Sequence, residues 1–282
     1  MNQRREFMKK AGAGLLALSA SPVICDHKLY SNTLTKAGQN VLFNISFAGY
    51  TFRDYDLDTT LEMMQKLDAH YLCIKDFHLP LNSTADEMAA FHAKLAAKNV
   101  TACGVGPIYM KTEAEADQAF EYTRRAGVKL LVGVPNYELL PYIDKKVREY
   151  GVYYAIHIHG PDMALYPNAA DAINHVKDLD PRIGLCLDMA HDTRYGDDPV
   201  YDLKRYFKRV FDIHLNDTTE AGKAGRLCEL GRGVVDIPAF VRTLRKLKYN
   251  GFCNIELTAD RENCFTAAAE SIGYIKGVID AT

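Results

Sequence analysis

The sequence contains no tryptophan. Beyond its first 25 residues, no uninterrupted apolar run approaches the roughly 18 residues that a membrane-spanning helix needs, so no membrane span is expected in the body of the chain. Runs of lysine or arginine are also missing. With 34 basic and 36 acidic residues the formal charge is −2, and the clustered positive charge that grips phosphates is absent, which removes nucleic acid as an expected partner. The seven cysteines form no C-x-x-C pair, so the commonest zinc-ribbon and thiol-redox patterns are excluded. Four of them (Cys73, Cys103, Cys186 and Cys253) fall within expected strands, where a reduced thiol serves as a small apolar core residue. The Asn44-Ile45-Ser46-Phe47-Ala48-Gly49 stretch is not the glycine-rich phosphate turn that opens a doubly wound sheet. Leu230-Gly231-Arg232-Gly233 reads as a turn, since a single G-x-G carries little information.

What is present is a globular composition, 48% hydrophobic and 25% charged, suited to a small-molecule partner. The first 25 residues stand apart. Arg4-Arg5-Glu6-Phe7-Met8-Lys9 precedes a short apolar run from Ala11 to Ala20 that is rich in small residues. A basic start, a short apolar core and small residues after it describe an export signal, and the arginine pair matches the twin-arginine type, whose pathway carries folded proteins. Residues 1–25 are therefore read as a signal peptide directing the protein out of the cytoplasm to the periplasm. Residues 26–40 read as a polar lead-in.

From residue 41 onward, β-branched and apolar runs alternate with amphipathic stretches. Expected strands cover residues 41–47, 71–77, 100–105, 129–134, 152–159, 183–188, 210–216 and 252–257. Between them, apolar positions recur at helical spacing, as at Leu57, Leu61, Met64 and Leu67. Asn99, Gly127, Gly151 and Gly251 stand where helix ends are expected. Eight strands interleaved with helices and no long polar linker predict a single (β/α)₈ TIM barrel over residues 41–282.

In such a barrel the active site lies at the C-terminal strand ends, and alternate residues point into the interior. Placing the apolar parity of the last four strands against the helices turns His157 and His159, Asp188, Asp212, His214 and Asn216, and Asn254 and Glu256 inward. Four successive strand ends thus deliver His157, Asp188, His214 and Glu256 to one place. Any one of these alone is more often a satisfied polar residue. Together, two imidazoles and two carboxylates suit one divalent ion, Mn²⁺, Mg²⁺, Co²⁺ or Zn²⁺. Lys75 shares the inward parity on the second strand; it is read either as a proton-transferring residue near a cation or as a rim lysine paired to Asp76 or Glu256. Asn44, Ser46 and Asn136 sit at other strand ends and are expected to bind substrate hydroxyls.

The segments Ala155-Ile156-His157-Ile158-His159-Gly160, Cys186-Leu187-Asp188-Met189-Ala190-His191, Asp212-Ile213-His214-Leu215-Asn216-Asp217, Leu230-Gly231-Arg232-Gly233-Val234-Val235-Asp236 and Asn254-Ile255-Glu256-Leu257 resemble the xylose isomerase-like superfamily. That group includes sugar isomerases and epimerases, inosose dehydratases and DNA-repair endonucleases. The resemblance covers residues 41–279. It implies metal ligands in the order Glu, Asp, His, Glu. Asp188, His214 and Glu256 match, while His157 stands where the family has a glutamate. It also implies that His191 touches substrate hydroxyls, and Asp217 is expected to orient His214 or its neighbours.

The resemblance implies a metal-dependent sugar isomerase or epimerase working through an enolate, with Glu256 as base and Lys75 or His159 moving a second proton. Because the epimerases of the group use two glutamates, one on each face of the substrate, the His157 replacement keeps a second reading open: a lyase or hydratase acting on a keto sugar or keto glycoside. A third is a sugar-binding protein without catalysis. The endonuclease reading would need further metal ligands and a basic groove, which the sequence lacks. For the export reading, cell fractionation with N-terminal sequencing is expected to find a shortened chain in the periplasm; an intact N-terminus in the cytoplasm contradicts it.

Overall fold

The computed structural model describes residues 43–258 and 263–282. The expected export signal and lead-in lie outside the described residues, as do the first two residues of the first expected strand.

Eight parallel strands close into a barrel: β1 Asn44–Ala48, β2 Tyr71–Ile74, β3 Thr101–Met110, β4 Leu130–Pro135, β5 Tyr153–His157, β6 Ile183–Asp188, β7 Val210–Leu215 and, after a small antiparallel pair, β10 Phe252–Ile255. The pair is β8 Asp217–Thr218 with β9 Leu227–Cys228. Closure is made by β10 against β1, with Ser46 opposite Asn254. Nine helices lie among the described residues: α1 Leu57–Lys66, α2 Ala85–Ala97, α3 Glu113–Arg125, α4 Leu140–Tyr150, α5 Ala169–Val176, α6 Met189–Tyr195, α7 Pro199–Tyr206, α8 Ile237–Leu247 and α9 Cys264–Ala281. Local chemistry starts and stops them. Reciprocal capping boxes, Thr84 with Glu87 and Thr112 with Glu115, satisfy the first amides of α2 and α3. Gly151, at φ 62°, ends α4 in the left-handed conformation that glycine adopts without strain.

Inside the barrel the side chains form layers. The bottom is plugged by aromatic rings, with Tyr71 against Phe252 (centroids 5.1 Å apart) and Tyr153 against Phe211 (4.9 Å). Phe211 corrects the parity expected from the sequence, which turned it toward the helices. The pairing of β6 with β7 slips by one residue, so that Leu185 faces Val210 but Cys186 faces Asp212. The slip turns Phe211 inward over Gly184, where an added Cβ would lie 2.7 Å from the Phe211 ring. Above the rings lie Cys73, Cys103, Val132, Ala155 and Cys186, with the cysteines free and buried. Cys253 is also free and buried, in the shell packed against the helices.

One polar chain crosses this middle layer. Ser46 donates to Asn254 (2.6 Å), Asn254 donates to Asp212 (2.6 Å), and the Cys186 thiol donates to Asp212 (3.3 Å). The chain satisfies groups that would otherwise be buried without partners. It also places Asp212 directly beneath the top layer.

Several strands differ in length from expectation. The second ends at Ile74, before Lys75, the fifth at His157, before His159, and the last at Ile255, before Glu256. The third continues past residue 105 to Met110, with a register shift between Val105 and Ile108. The expected strand stops just before Gly106-Pro107, yet the observed one bulges across it and carries Tyr109 up to the barrel mouth.

Candidate metal centre and active site

The top layer brings together the four side chains expected there. His157, Asp188, His214 and Glu256 are each no more than 7% exposed, and one donor atom from each lies within 4.8 Å of all the others. His157 Nε2 is 3.1 Å from His214 Nδ1, and His214 Nδ1 is 3.1 Å from Glu256 Oε2. Asp188 Oδ2 sits 3.6 Å from both imidazole nitrogens.

This donor set fits a divalent ion. Ligand atoms held ~2.0–2.1 Å from one centre lie roughly 3.0–3.4 Å apart, close to the separations here. Two carboxylates buried together without a cation cost several kcal/mol each, and two imidazole nitrogens aimed at one point cannot both keep lone pairs unless something positive lies between them. A mixed set of nitrogen and oxygen donors suits Zn²⁺, Mn²⁺, Co²⁺ or Mg²⁺.

The surroundings prepare these groups as ligands. Asp188 is fixed by Asn216, whose amide donates to Oδ2 (2.7 Å) while its own carbonyl accepts from the Ala190 amide (2.8 Å). The other Asp188 oxygen accepts the His191 backbone N–H (2.8 Å), capping α6. Asp212 Oδ2 faces His214 Nε2 at 3.6 Å, favouring the tautomer with its proton on Nε2 and leaving Nδ1 free to ligate.

Protonation follows the same logic. Burial opposes charge on Asp188, but the imidazoles of His191, His157 and His214 outweigh it and hold its carboxyl well below the usual range. Burial opposes charge on Glu256 too, and His214 outweighs it. Burial lowers His157. On His214 burial is overcome by Cys186, Glu256 and Asp188, which raise its pKa. Burial pushes Asp212 up to about 6.

Around the cluster lie two more histidines. The His159 ring centroid is 4.6 Å from that of His157, and the His191 centroid is 6.0 Å from that of His159. His159 Nε2 is 2.7 Å from the Tyr109 hydroxyl, a partner outside the sequence reading because Tyr109 lies beyond the expected end of the third strand. Burial, with His157 and His191 nearby, drives His159 down to about 2. Burial and Glu256 raise Tyr109. The pair is therefore a neutral imidazole against a neutral phenol.

Other expected site residues fall in less central places. Lys75 is 13% exposed by side chain, ion-paired to Asp76 (2.9 Å) and donating to the Pro107 carbonyl (2.8 Å), which is the rim pairing foreseen as one of its two readings. Asn136 follows β4 at the mouth, its amide donating to Glu138 (3.0 Å). Asn44 is the first residue of β1, opposite Phe252 of the bottom aromatic layer; strand direction puts it at the end of the barrel away from the mouth, so it does not line this site. Ser46 is likewise spent in the middle layer.

Asp217 does not orient His214. It accepts the amides of Thr218 (2.8 Å), Gly231 (3.0 Å), Gly233 (3.0 Å) and Val235 (3.1 Å). The Leu230–Val235 turn wraps around it, and Gly233 lacks a Cβ that would meet the Asp217 carboxylate at 2.3 Å. The loop is closed on a protein carboxylate, not shaped around a phosphate.

The supporting shell is testable. Asp212→Asn is expected to weaken affinity for Zn²⁺ or Mn²⁺ about 10- to 100-fold, as loss of an orienting partner usually does, with the fold intact by circular dichroism. Unchanged affinity in a titration against a chelating indicator would show that Asp212 does not prepare His214.

Comparison with known proteins agrees with this geometry. No curated protein is similar to the chain in sequence. Residues 74–278 match the family model described as xylose isomerase-like TIM barrel. Among solved structures, the IOLI protein with a bound zinc atom is 19% identical, with a TM-score of 0.68 over 85% of this chain and 99% of that one. D-psicose 3-epimerase with D-tagatose from Clostridium cellulolyticum H10 is 14% identical, with a TM-score of 0.68 over 84% and 99%. The probable 3-DHS dehydratase AsbF from Bacillus anthracis is 11% identical, with a TM-score of 0.69 over 83% and 99%. At these identities the structural likeness speaks for the fold alone. The family match over most of the sequence does more: this chain belongs to the xylose isomerase-like TIM barrel family.

Proposed function

We propose that the protein is a divalent-metal-dependent isomerase or epimerase acting on a sugar or sugar derivative, working at a carbon next to a carbonyl. The observation that carries this reading is the convergence of two buried carboxylates and two imidazoles at the barrel mouth, beside a phenol–imidazole pair. His157, Asp188, His214 and Glu256 would hold the ion, which when bound supplies a Lewis acid that stabilises negative charge developing on substrate oxygen.

The remaining chemistry belongs to the chain's own residues. Glu256, kept ionised by His214, is the base that removes the proton from carbon. The Tyr109–His159 pair holds one exchangeable proton between two neutral groups at 2.7 Å, and it delivers or accepts the second proton on oxygen or on the opposite face. His191 and Asn136 are the residues that meet substrate hydroxyls. Tyr50 and Phe77, with centroids 6.3 Å apart, offer the apolar face of a sugar ring a surface at the rim. Lys75, tied to Asp76, lends positive charge to that rim and moves a proton only if substrate releases it from this pairing.

His157 favours a second reading. With one carboxylate in the cluster able to act as base, a symmetric exchange between two glutamates is not available. The same proton removal by Glu256 then leads to loss of a group from the neighbouring carbon, making the protein a lyase or hydratase acting on a keto sugar or keto glycoside. Export to the periplasm, proposed from residues 1–25, is compatible with both readings.

Incubation of the metal-loaded protein with free and keto sugars in deuterated water, followed by NMR, separates them. Deuterium entering a carbon beside a carbonyl, without gain or loss of water, is the expected result. Loss or gain of water, or release of an aglycone, transfers the assignment to the second reading. No exchange with metal bound leaves a sugar-binding protein. Tyr109→Phe is expected to lower turnover about 10²- to 10⁴-fold with metal retained, the range for a lost proton-transfer group. Lys75→Ala with unchanged turnover confines Lys75 to the rim.

A further inference from the structure

A second group of carboxylates lies outside the barrel mouth, where α5, α6 and α7 meet. One oxygen each from Asp192, Asp197 and Asp202 falls within 4.8 Å of the others. Asp192 is on α6 and fully buried at 0% exposure, and neither of its carboxylate oxygens has a hydrogen-bond partner. Asp202, in the first turn of α7, is buried as well. Asp197 lies between the helices, holding Asn168 of the α5 cap at 2.8 Å through one oxygen, and its backbone N–H donates to the Asp192 carbonyl (3.1 Å). Asp198 beside them is used otherwise, accepting the Val200 amide as the cap of α7.

Three carboxylates so arranged are a costly construction without a counter-charge. Asp197 follows the C-terminus of α6, where the helix dipole repels negative charge. A buried carboxylate with no donor on either oxygen forfeits its solvation outright. Among the described residues, Arg205 acts on Asp202, but burial and Asp197 outweigh it. The strain shows in the proton equilibria: burial, then Asp202 and Asp197, push Asp192 up to about 9, and burial with Asp197 pushes Asp202 up to about 6.

We propose that Asp192, Asp197 and Asp202 bind a second divalent cation, Ca²⁺ in preference to Mg²⁺, which ties α6 to α7 and to the α5 cap. The all-oxygen, anionic donor set selects a hard cation. Carboxylates that bind through one or both oxygens give an irregular donor set, which Ca²⁺ accepts, whereas Mg²⁺ demands near-octahedral geometry. Asp197, only partly buried, marks the side from which water completes the coordination. The site is separate from the mouth centre but mechanically joined to it: α6 starts immediately after Asp188 and carries His191. A cation held by Asp192 on this seven-residue helix and by Asp197 just beyond it keeps one ligand and one substrate-facing residue in register. The inference stands independently of the reaction proposed above.

The test uses chelator-treated full-length protein titrated with CaCl₂, read by thermal melting and by tyrosine-sensitised Tb³⁺ luminescence, for which the absence of tryptophan and the presence of Tyr195, Tyr201 and Tyr206 on these helices are convenient. Wild type and His214→Ala are both expected to gain several degrees in Tm with Ca²⁺, and to show Tb³⁺ emission displaced by Ca²⁺. Asp202→Asn is expected to melt higher than wild type without cation, because repulsion is relieved, and to lose the Ca²⁺ shift and at least tenfold in Tb³⁺ affinity. Asp197→Asn is expected to lose the shift also, which covers the case in which Asp202→Asn does not fold. The proposal is overturned if Ca²⁺ leaves the Tm of wild type unchanged, or if the shift survives in either folded variant; Asp192 and Asp202 then share a proton in place of an ion.

Discussion

Everything at the mouth of this barrel depends on one electrostatic constraint. Asp188 and Glu256 are buried beside each other and beside two imidazoles, at a place where water cannot solvate them. Charges so placed are tolerated only when something positive sits among them. The barrel makes the arrangement possible geometrically, because β5, β6, β7 and β10 are successive neighbours in the closed sheet and each contributes its inward residue at the same height. It makes the arrangement rigid through the layer beneath. Asp212 backs His214, Asn216 holds Asp188, and the Ser46–Asn254–Asp212 chain locks those positions to the strands that close the barrel.

The same constraint organises the roles of neighbouring groups. His159 is kept neutral by burial and by adjacent imidazoles, so it cannot serve as an acid in its own right. The Tyr109 hydroxyl gives it a proton partner. Glu256 is held ionised by His214. A centre with Glu256 on one side and the neutral Tyr109–His159 pair near His157 on the other is asymmetric.

Much of this was legible in the sequence, for a definite reason. Strand alternation is a period of two, so apolar outward sets such as Leu185 with Leu187, or Ile213 with Leu215, force the intervening polar residues inward. Alternation of this kind brings all four cluster residues to the barrel interior. The period of two does not hold where the backbone slips or bulges. Phe211 turned inward because β7 slips by one residue against β6. Tyr109 was missed because the expected strand stops just before Gly106-Pro107, although the observed strand bulges through it. Asn44 has inward parity, but parity does not say at which end of the barrel a residue lies. Asp217 required knowledge of a loop that returns 14 to 18 residues later, and nothing local signals that closure. The Asp192 cluster was silent for a similar reason: acidic residues around helix ends read as solvated caps until packing shows them buried.

The account stands or falls on whether the buried cluster is a metal centre. Elemental analysis of the purified protein, before any metal is added, measures this most directly. About one Zn, Mn, Co or Mg ion per chain is predicted, bound through His157, Asp188, His214 and Glu256, and lost in a folded His214→Ala variant. A wild-type protein that carries none of these ions and takes none up on dialysis, or a His214→Ala variant with full occupancy, would contradict it.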